Sequence, residues 1–138
     1  MVVFIDTPIW SLSLRRRKRN SAEQVLCDEL SDLIREAKVG LIGPVRQELL
    51  SGVYDRRHFE RLRAHLRGFE DVPLETIDFE QAARISNLCR QKGIQGSPID
   101  YLLCAVALRF GGSLFTTDRD FTQYAKHIDI ALHAPRKR

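Results

Sequence analysis

Cysteine is scarce in this chain. Its 138 residues contain three, Cys27, Cys89 and Cys104. They lie far apart, are odd in number and sit among apolar neighbours. They therefore read as buried helix residues rather than disulfide halves or zinc ligands. The four histidines, His58, His65, His127 and His133, form no HxxxH pair or other metal-ligand spacing, so a zinc centre is not expected. No window holds 18 uncharged apolar residues, which excludes a helical membrane span. The start, MVVFIDTPIW, has no basic leader or small-residue cleavage site, and a cytoplasmic protein is expected. Internal repeats, low-complexity tracts and long linkers are also missing. One domain over residues 1–138 follows, long enough to bury a core without cross-links.

What is present in excess is positive charge. The net charge is +4, and the basic residues are clustered. Arg15, Arg16, Arg17, Lys18 and Arg19 form one run; Arg56, Arg57, Arg61, Arg63 and Arg67 crowd a later segment; Arg136, Lys137 and Arg138 close the sequence. Such clusters suit a polyanion, because each neutralised phosphate releases counterions. A merely solvated surface is the plainer alternative for any one of them.

Apolar periodicity gives the elements. VVFI (2–5) reads as a buried strand, and Thr7 then Pro8 as an N-cap followed by proline in the first helical turn. Residues 21–37 carry a helical stripe of Ala22, Val25, Leu26, Leu30, Leu33, Ile34 and Ala37 facing a core. VGLIG (39–43) predicts a strand, and Pro44 opens a helix ending near Gly52. Residues 56–68 predict a basic helix with Phe59, Leu62 and Leu66 inside; VPLET (72–76) predicts an edge strand. Asp78 with Gln81 marks the start of a helix over 79–92. The helix after Ser97 and Pro98 is apolar on nearly every side and so central, with Gly111 and Gly112 ending it. Strands at 113–117 and 128–132 flank a short helix at 120–126. This alternation predicts an α/β fold around a mostly parallel sheet, whose ligands bind at the carboxyl ends of strands.

Acids occur where that rule points. Asp6 follows VVFI, and Asp118 follows SLFTT with Asp120 two residues on. Asp100 lies in the first turn of the apolar helix, and Glu48 one turn after Pro44. Each has a structural explanation: Asp100 and Asp118 as caps, Asp6 as a loop acid near a helix start, Glu48 as a solvated helix residue. Asp100 is the informative one, because an acid heading a buried helix is expensive unless paired, hydrogen-bonded or bound to a cation. Four carboxylates brought together would repel, and a divalent metal resolves that. Oxygen ligands without convergent Cys or His favour Mg²⁺ or Mn²⁺, whose chemistry suits phosphodiester hydrolysis.

FIDTPIW at the start, PVRQELLSG in the middle and SPIDYLLCAVALRFGGSLFTTDRDF near the end together resemble the PIN-domain family, and within it VapC-type toxins of bacterial or archaeal toxin–antitoxin pairs. The resemblance implies a three-layer α/β/α sandwich with a four- or five-stranded sheet. It implies metal-binding acids at Asp6, Asp100 and Asp118, with Glu48 supporting the metal or the attacking water. Asp120 would join a second metal, and Thr116 would position water or an acid. It further implies hydrolysis of single-stranded or structured RNA to a 5′-phosphate and a 3′-hydroxyl, homodimers, and a VapB-type antitoxin whose tail covers the site. The family's usual DTS start is broken here by Pro8, which cannot donate a hydrogen bond; Thr7 is the candidate to replace the missing hydroxyl.

Three readings follow. The first is a metal-dependent ribonuclease toxin, with the basic run Arg15 to Arg19 holding RNA. The second is a housekeeping RNA-processing nuclease with the same chemistry. The third is a non-catalytic RNA- or protein-binding module on the same fold. A phosphatase or phosphoreceiver would need a lysine after a late strand, where SLFTTDRDF supplies acids instead.

Overall fold

A computed structural model describes every residue except Arg16. The described chain runs β1 (Val3–Ile5), α1 (Thr7–Leu14), α2 (Ser21–Arg35), β2 (Val39–Gly40), α3 (Gly43–Leu50), α4 (Arg56–Leu66), α5 (Thr76–Gln91), α6 (Pro98–Phe110), β3 (Ser113–Phe115), α7 (Asp120–Tyr124) and β4 (Ala131–Leu132). Four parallel strands form one sheet in the order β2-β1-β3-β4. β1 is central because all three of its residues are apolar and fully buried. Its register pairs Val3 with Val39 on one side, and Val3, Phe4 and Ile5 with Ser113, Leu114 and Phe115 on the other.

This order produces three layers. The chain leaves β1 in one direction to reach β2, then crosses back past β1 to reach β3. Crossovers of the usual right hand running in opposite directions put their helices on opposite faces. For the first, α1 and α2 pack together; for the second, α6 packs on β1 and β3 with α5 against it, and α3 bridges to α1 with α4 beside it. The direction reverses between β1 and β3, and a crevice opens at such a reversal beyond the strand ends. Asp6 and Asp118 follow those two strands.

The central helix is α6, with Tyr101 through Ala107 buried in one run. Gly111 ends it in the left-handed region at φ 62°, which glycine adopts without a Cβ penalty. The core joins Phe4, Ile5, Ile9, Trp10, Leu103, Val106, Leu114, Phe115 and Phe121. The three cysteines are free and buried, as expected. Among the described residues no helix is long and apolar enough to cross a membrane.

Several expectations need correction. Residues 72–76 form no strand: one parallel bridge, Leu41 with Asp71, is all that extends the sheet there. Pro73 has no N–H for a ladder, and its carbonyl instead accepts from Arg109 Nη2 at 3.0 Å. The next helix begins at Thr76, because Asp78 is an interior partner of the cap and not the cap itself. Its carboxylate accepts from the Glu75 N–H at 2.9 Å. Asp6, not Thr7, caps α1, since the side chain of the strand-end acid accepts from the Thr7 N–H at 2.8 Å. The face of α2 is also rotated from its apolar stripe. Val25 and Ile34 are exposed, while Glu29 and Asp32 are buried beside Cys27, Leu30 and Leu33.

The carboxyl-terminal basic cluster explains that rotation. Arg136 donates to Glu29 from its backbone N–H, Nε and Nη2, at 3.0, 2.9 and 3.2 Å. His133 Nε2 lies 2.7 Å from Glu29 Oε2, and Arg138 Nη2 is 2.5 Å from Asp32 Oδ2. Arg136 and Arg138 are thus internal partners of α2 rather than a free phosphate-binding surface.

Candidate metal centre

Asp6 is placed by the sheet. Its N–H continues the ladder to the Phe115 carbonyl at 3.0 Å, which sets it level with the end of β3. Thr116, the next residue on β3's side, donates its hydroxyl to Asp6 Oδ2 at 2.7 Å and accepts from the Asp118 N–H at 2.9 Å. This one hydroxyl therefore ends the strand and ties two acids together. Asp118 Oδ1 in turn accepts from the Asp120 N–H at 2.9 Å, opening α7. Asp100 reaches the same point from α6, where the Ser97 hydroxyl accepts from its N–H at 3.2 Å as an N-cap. Its Oδ2 accepts from the Tyr124 hydroxyl at 2.8 Å.

One carboxylate oxygen from each of Asp6, Asp100 and Asp118 lies within 4.8 Å of the others. They line an open cavity of about 470 Å³ with Glu48, Asp120, Pro8, Gln95, Gly96 and Ser97. Glu48 is exposed on α3, at the edge of the face that buries Val45 and Leu49.

Electrostatics separates this group from the other buried acids. Glu29, Asp32 and Asp78 are buried with arginine partners; Arg109 grips Asp78 through Nε at 2.6 Å and Nη2 at 2.8 Å. Asp6 is 4% exposed, and among the described residues it has no cationic partner. Burial pushes its carboxyl up to about 6; the bonds from Thr116 and Thr7 oppose the shift, and Asp100 and Asp118 add to it. Burial raises Asp100 too, against hydrogen bonds from Tyr124 and Ser97. An unpaired buried carboxylate beside two others is costly as an anion. A small divalent cation offsets that cost. The ligand set is oxygen only, which fits Mg²⁺ or Mn²⁺ better than zinc.

Thr116 bonds Asp6 directly. Thr7 Oγ1 is buried with no hydrogen-bond partner among the described residues, and Pro8, not Thr7, lines the cavity. Asp120 lines the cavity from the first turn of α7. Arg15, Arg17 and Lys18 are at least partly exposed, whereas half-buried Arg19 donates to the Ser13 carbonyl at 2.9 Å. Arg16 lies outside the described residues. On α4 and its carboxyl end, Arg56, Arg57, Arg61, Arg63 and Arg67 are all exposed. Sequence reasoning missed Tyr124, because nothing in its spacing from Asp118 marks it as a partner of Asp100.

The PIN domain family matches residues 3–127 of the chain. No curated protein matches it. Among solved structures, FitAcB from Neisseria gonorrhoeae is similar with a TM-score of 0.76 and 19% identity, covering 97% of this chain and 98% of that one. VapBC2 from Rickettsia felis, bound to a DNA fragment from their promoter, gives 0.75 and 14%, covering 96% and 98%. VapBC-1 from nontypeable Haemophilus influenzae gives 0.71 and 15%, covering 96% and 97%. At these identities the likeness concerns the fold.

Proposed function

The chain belongs to the PIN-domain family, and from that premise we propose that it is a metal-dependent endoribonuclease acting as the toxin of a toxin–antitoxin pair. The observation that carries this reading is the convergence of Asp6, Asp100 and Asp118 within 4.8 Å at the reversal point of the sheet. The similarity to VapBC and FitAcB structures supports the toxin role.

In this reading Asp6, Asp100 and Asp118 hold Mg²⁺ or Mn²⁺, with Asp120 available to a second ion. When bound, the ion lowers the pKa of a water and stabilises charge on the attacked phosphate. The protein's own groups do the rest. Thr116 fixes Asp6 and the turn into Asp118. Glu48, which lines the same cavity from α3, accepts a hydrogen bond from the attacking water and orients it towards the phosphorus. The products are a 5′-phosphate and a 3′-hydroxyl. The exposed arginines of α4, with Arg15, Arg17 and Lys18, hold the RNA backbone. The partners are a VapB-type antitoxin, whose basic side chain would neutralise the acids, and a second copy of the chain.

Sequencing of RNA ends after induction, comparing the parent with Asp100→Asn, tests activity and identifies the substrate together. New 5′-phosphate ends should appear with the parent only. Identical end maps for the two proteins would refute the assignment. Growth arrest relieved by coexpressing an antitoxin encoded directly upstream separates a toxin from a housekeeping nuclease.

A further inference from the structure

Two of the clustered acids are tied down by side-chain hydroxyls. Asp6 has Thr116, which follows the neighbouring strand just beyond its end. Asp100 has Tyr124, a residue of a different helix, six positions beyond Asp118.

Tyr124 is fully buried. Its ring is wedged between Phe121, at 5.1 Å and 71°, and Tyr101, at 5.4 Å and 54°. Its only freedom is rotation of the hydroxyl, which points at Asp100 Oδ2. The carboxylate that lines the cavity is thereby held by a residue that does not line it. Room for the phenol comes from Gly96, which also lines that cavity. A Cβ there would overlap the Tyr124 hydroxyl outright and stand 2.6 Å from Tyr101 Oη. Neither tyrosine can retreat easily, since both are packed in the core. The absence of a side chain at residue 96 is therefore a condition for the Tyr124–Asp100 bond.

We propose that Tyr124, seated by Gly96, is a positioning residue that fixes Asp100 for a divalent cation. This rests on the reading of the acid cluster as a metal centre. Two effects compete when the hydroxyl is removed. Oδ2 becomes more basic, which favours a cation, while the side chain is freed to turn away, which disfavours one. Orientation dominates in comparable sites, where loss of such an outer partner weakens metal binding by roughly 10–100-fold.

The experiment is Mn²⁺ titration without RNA, followed by the electron paramagnetic resonance signal of the free ion, on the parent, Tyr124→Phe, Gly96→Ala and, as a control, Tyr101→Phe. Tyr124→Phe keeps the ring and removes only the donor. Gly96→Ala keeps every hydroxyl and displaces Tyr124. Both should weaken Mn²⁺ binding by about 10–100-fold, while Tyr101→Phe leaves it close to the parent. Cleavage by Tyr124→Phe should need correspondingly more Mn²⁺ for half-maximal rate and approach the parent rate at saturation. A purely structural tyrosine would lower the melting temperature without moving that half-saturation. Parent-like Mn²⁺ affinity in folded Tyr124→Phe or Gly96→Ala overturns the positioning role and leaves the nuclease reading standing. A parent that binds no Mn²⁺ overturns both.

Discussion

Removing one buried charge on α2 should change how the fold responds to acid. Glu29 is 1% exposed and sits under the carboxyl-terminal segment. Burial alone would raise its carboxyl, but Arg136, through side chain and backbone N–H, and His133 outweigh it and hold it at about 2 against an ordinary 4.5. A group held below its unfolded value binds its proton less tightly when folded. Its stabilisation is thus complete above about 4.5 and is lost as the pH falls towards about 2. At about 1.4 kcal/mol per unit the full shift corresponds to about 3.5 kcal/mol. Arg136 and Arg138 are 41% and 37% exposed, so water screens the pair and about 2 kcal/mol is a fairer figure. Urea denaturation of the parent and Glu29→Gln, from pH 6 down to pH 2.5, reads this directly. Glu29→Gln should be less stable at pH 6, and the gap should close by about 2 kcal/mol on acidification. A gap that stays constant with pH would refute the role given to the terminal arginines.

Arg109→Met strands Asp78, which is 1% exposed, without its guanidinium. Leaving a buried charge unpaired costs about 3–5 kcal/mol, and partial exposure of Arg109 puts the expected loss at the low end. The double change Asp78→Leu/Arg109→Met should recover much of that loss in urea denaturation; no recovery would contradict the account. Among the described residues Arg56 and Arg57 have no carboxylate partner. Arg56→Gln/Arg57→Gln should therefore reduce the salt slope of single-stranded RNA binding by about 0.7 for each phosphate left without its arginine. An unchanged slope in fluorescence anisotropy would remove α4 from the RNA surface.

Much of the centre was legible in advance because strands and acids abut. VVFI and SLF are short apolar runs, and parallel sheets place ligands beyond such ends, so Asp6 and Asp118 stood out. The apolar helix after Pro98 made Asp100 conspicuous for the same physical reason that it needs a partner. Pairing between distant segments was not legible. Glu29 is buried next to half-exposed Asp28, and only the bonds to a segment over a hundred residues away distinguish them. The apolar stripe on α2 was misleading because those arginines draw two acids inwards. VPLET had the composition of a strand, but Pro73 limits pairing to one bridge. Tyr124 reads as one more core aromatic until the fold brings its hydroxyl to Asp100.

The central claim is that three acids act as one metal-dependent centre. It is tested most directly by cleavage of a single-stranded RNA in Mg²⁺ or Mn²⁺ with purified parent, Asp6→Ala, Asp100→Ala and Asp118→Ala proteins. The account predicts 5′-phosphate products from the parent, abolished by chelation, and a loss of on the order of a hundredfold or more in each variant. Cleavage by Asp6→Ala or Asp100→Ala at the parent rate with the metal present would contradict it.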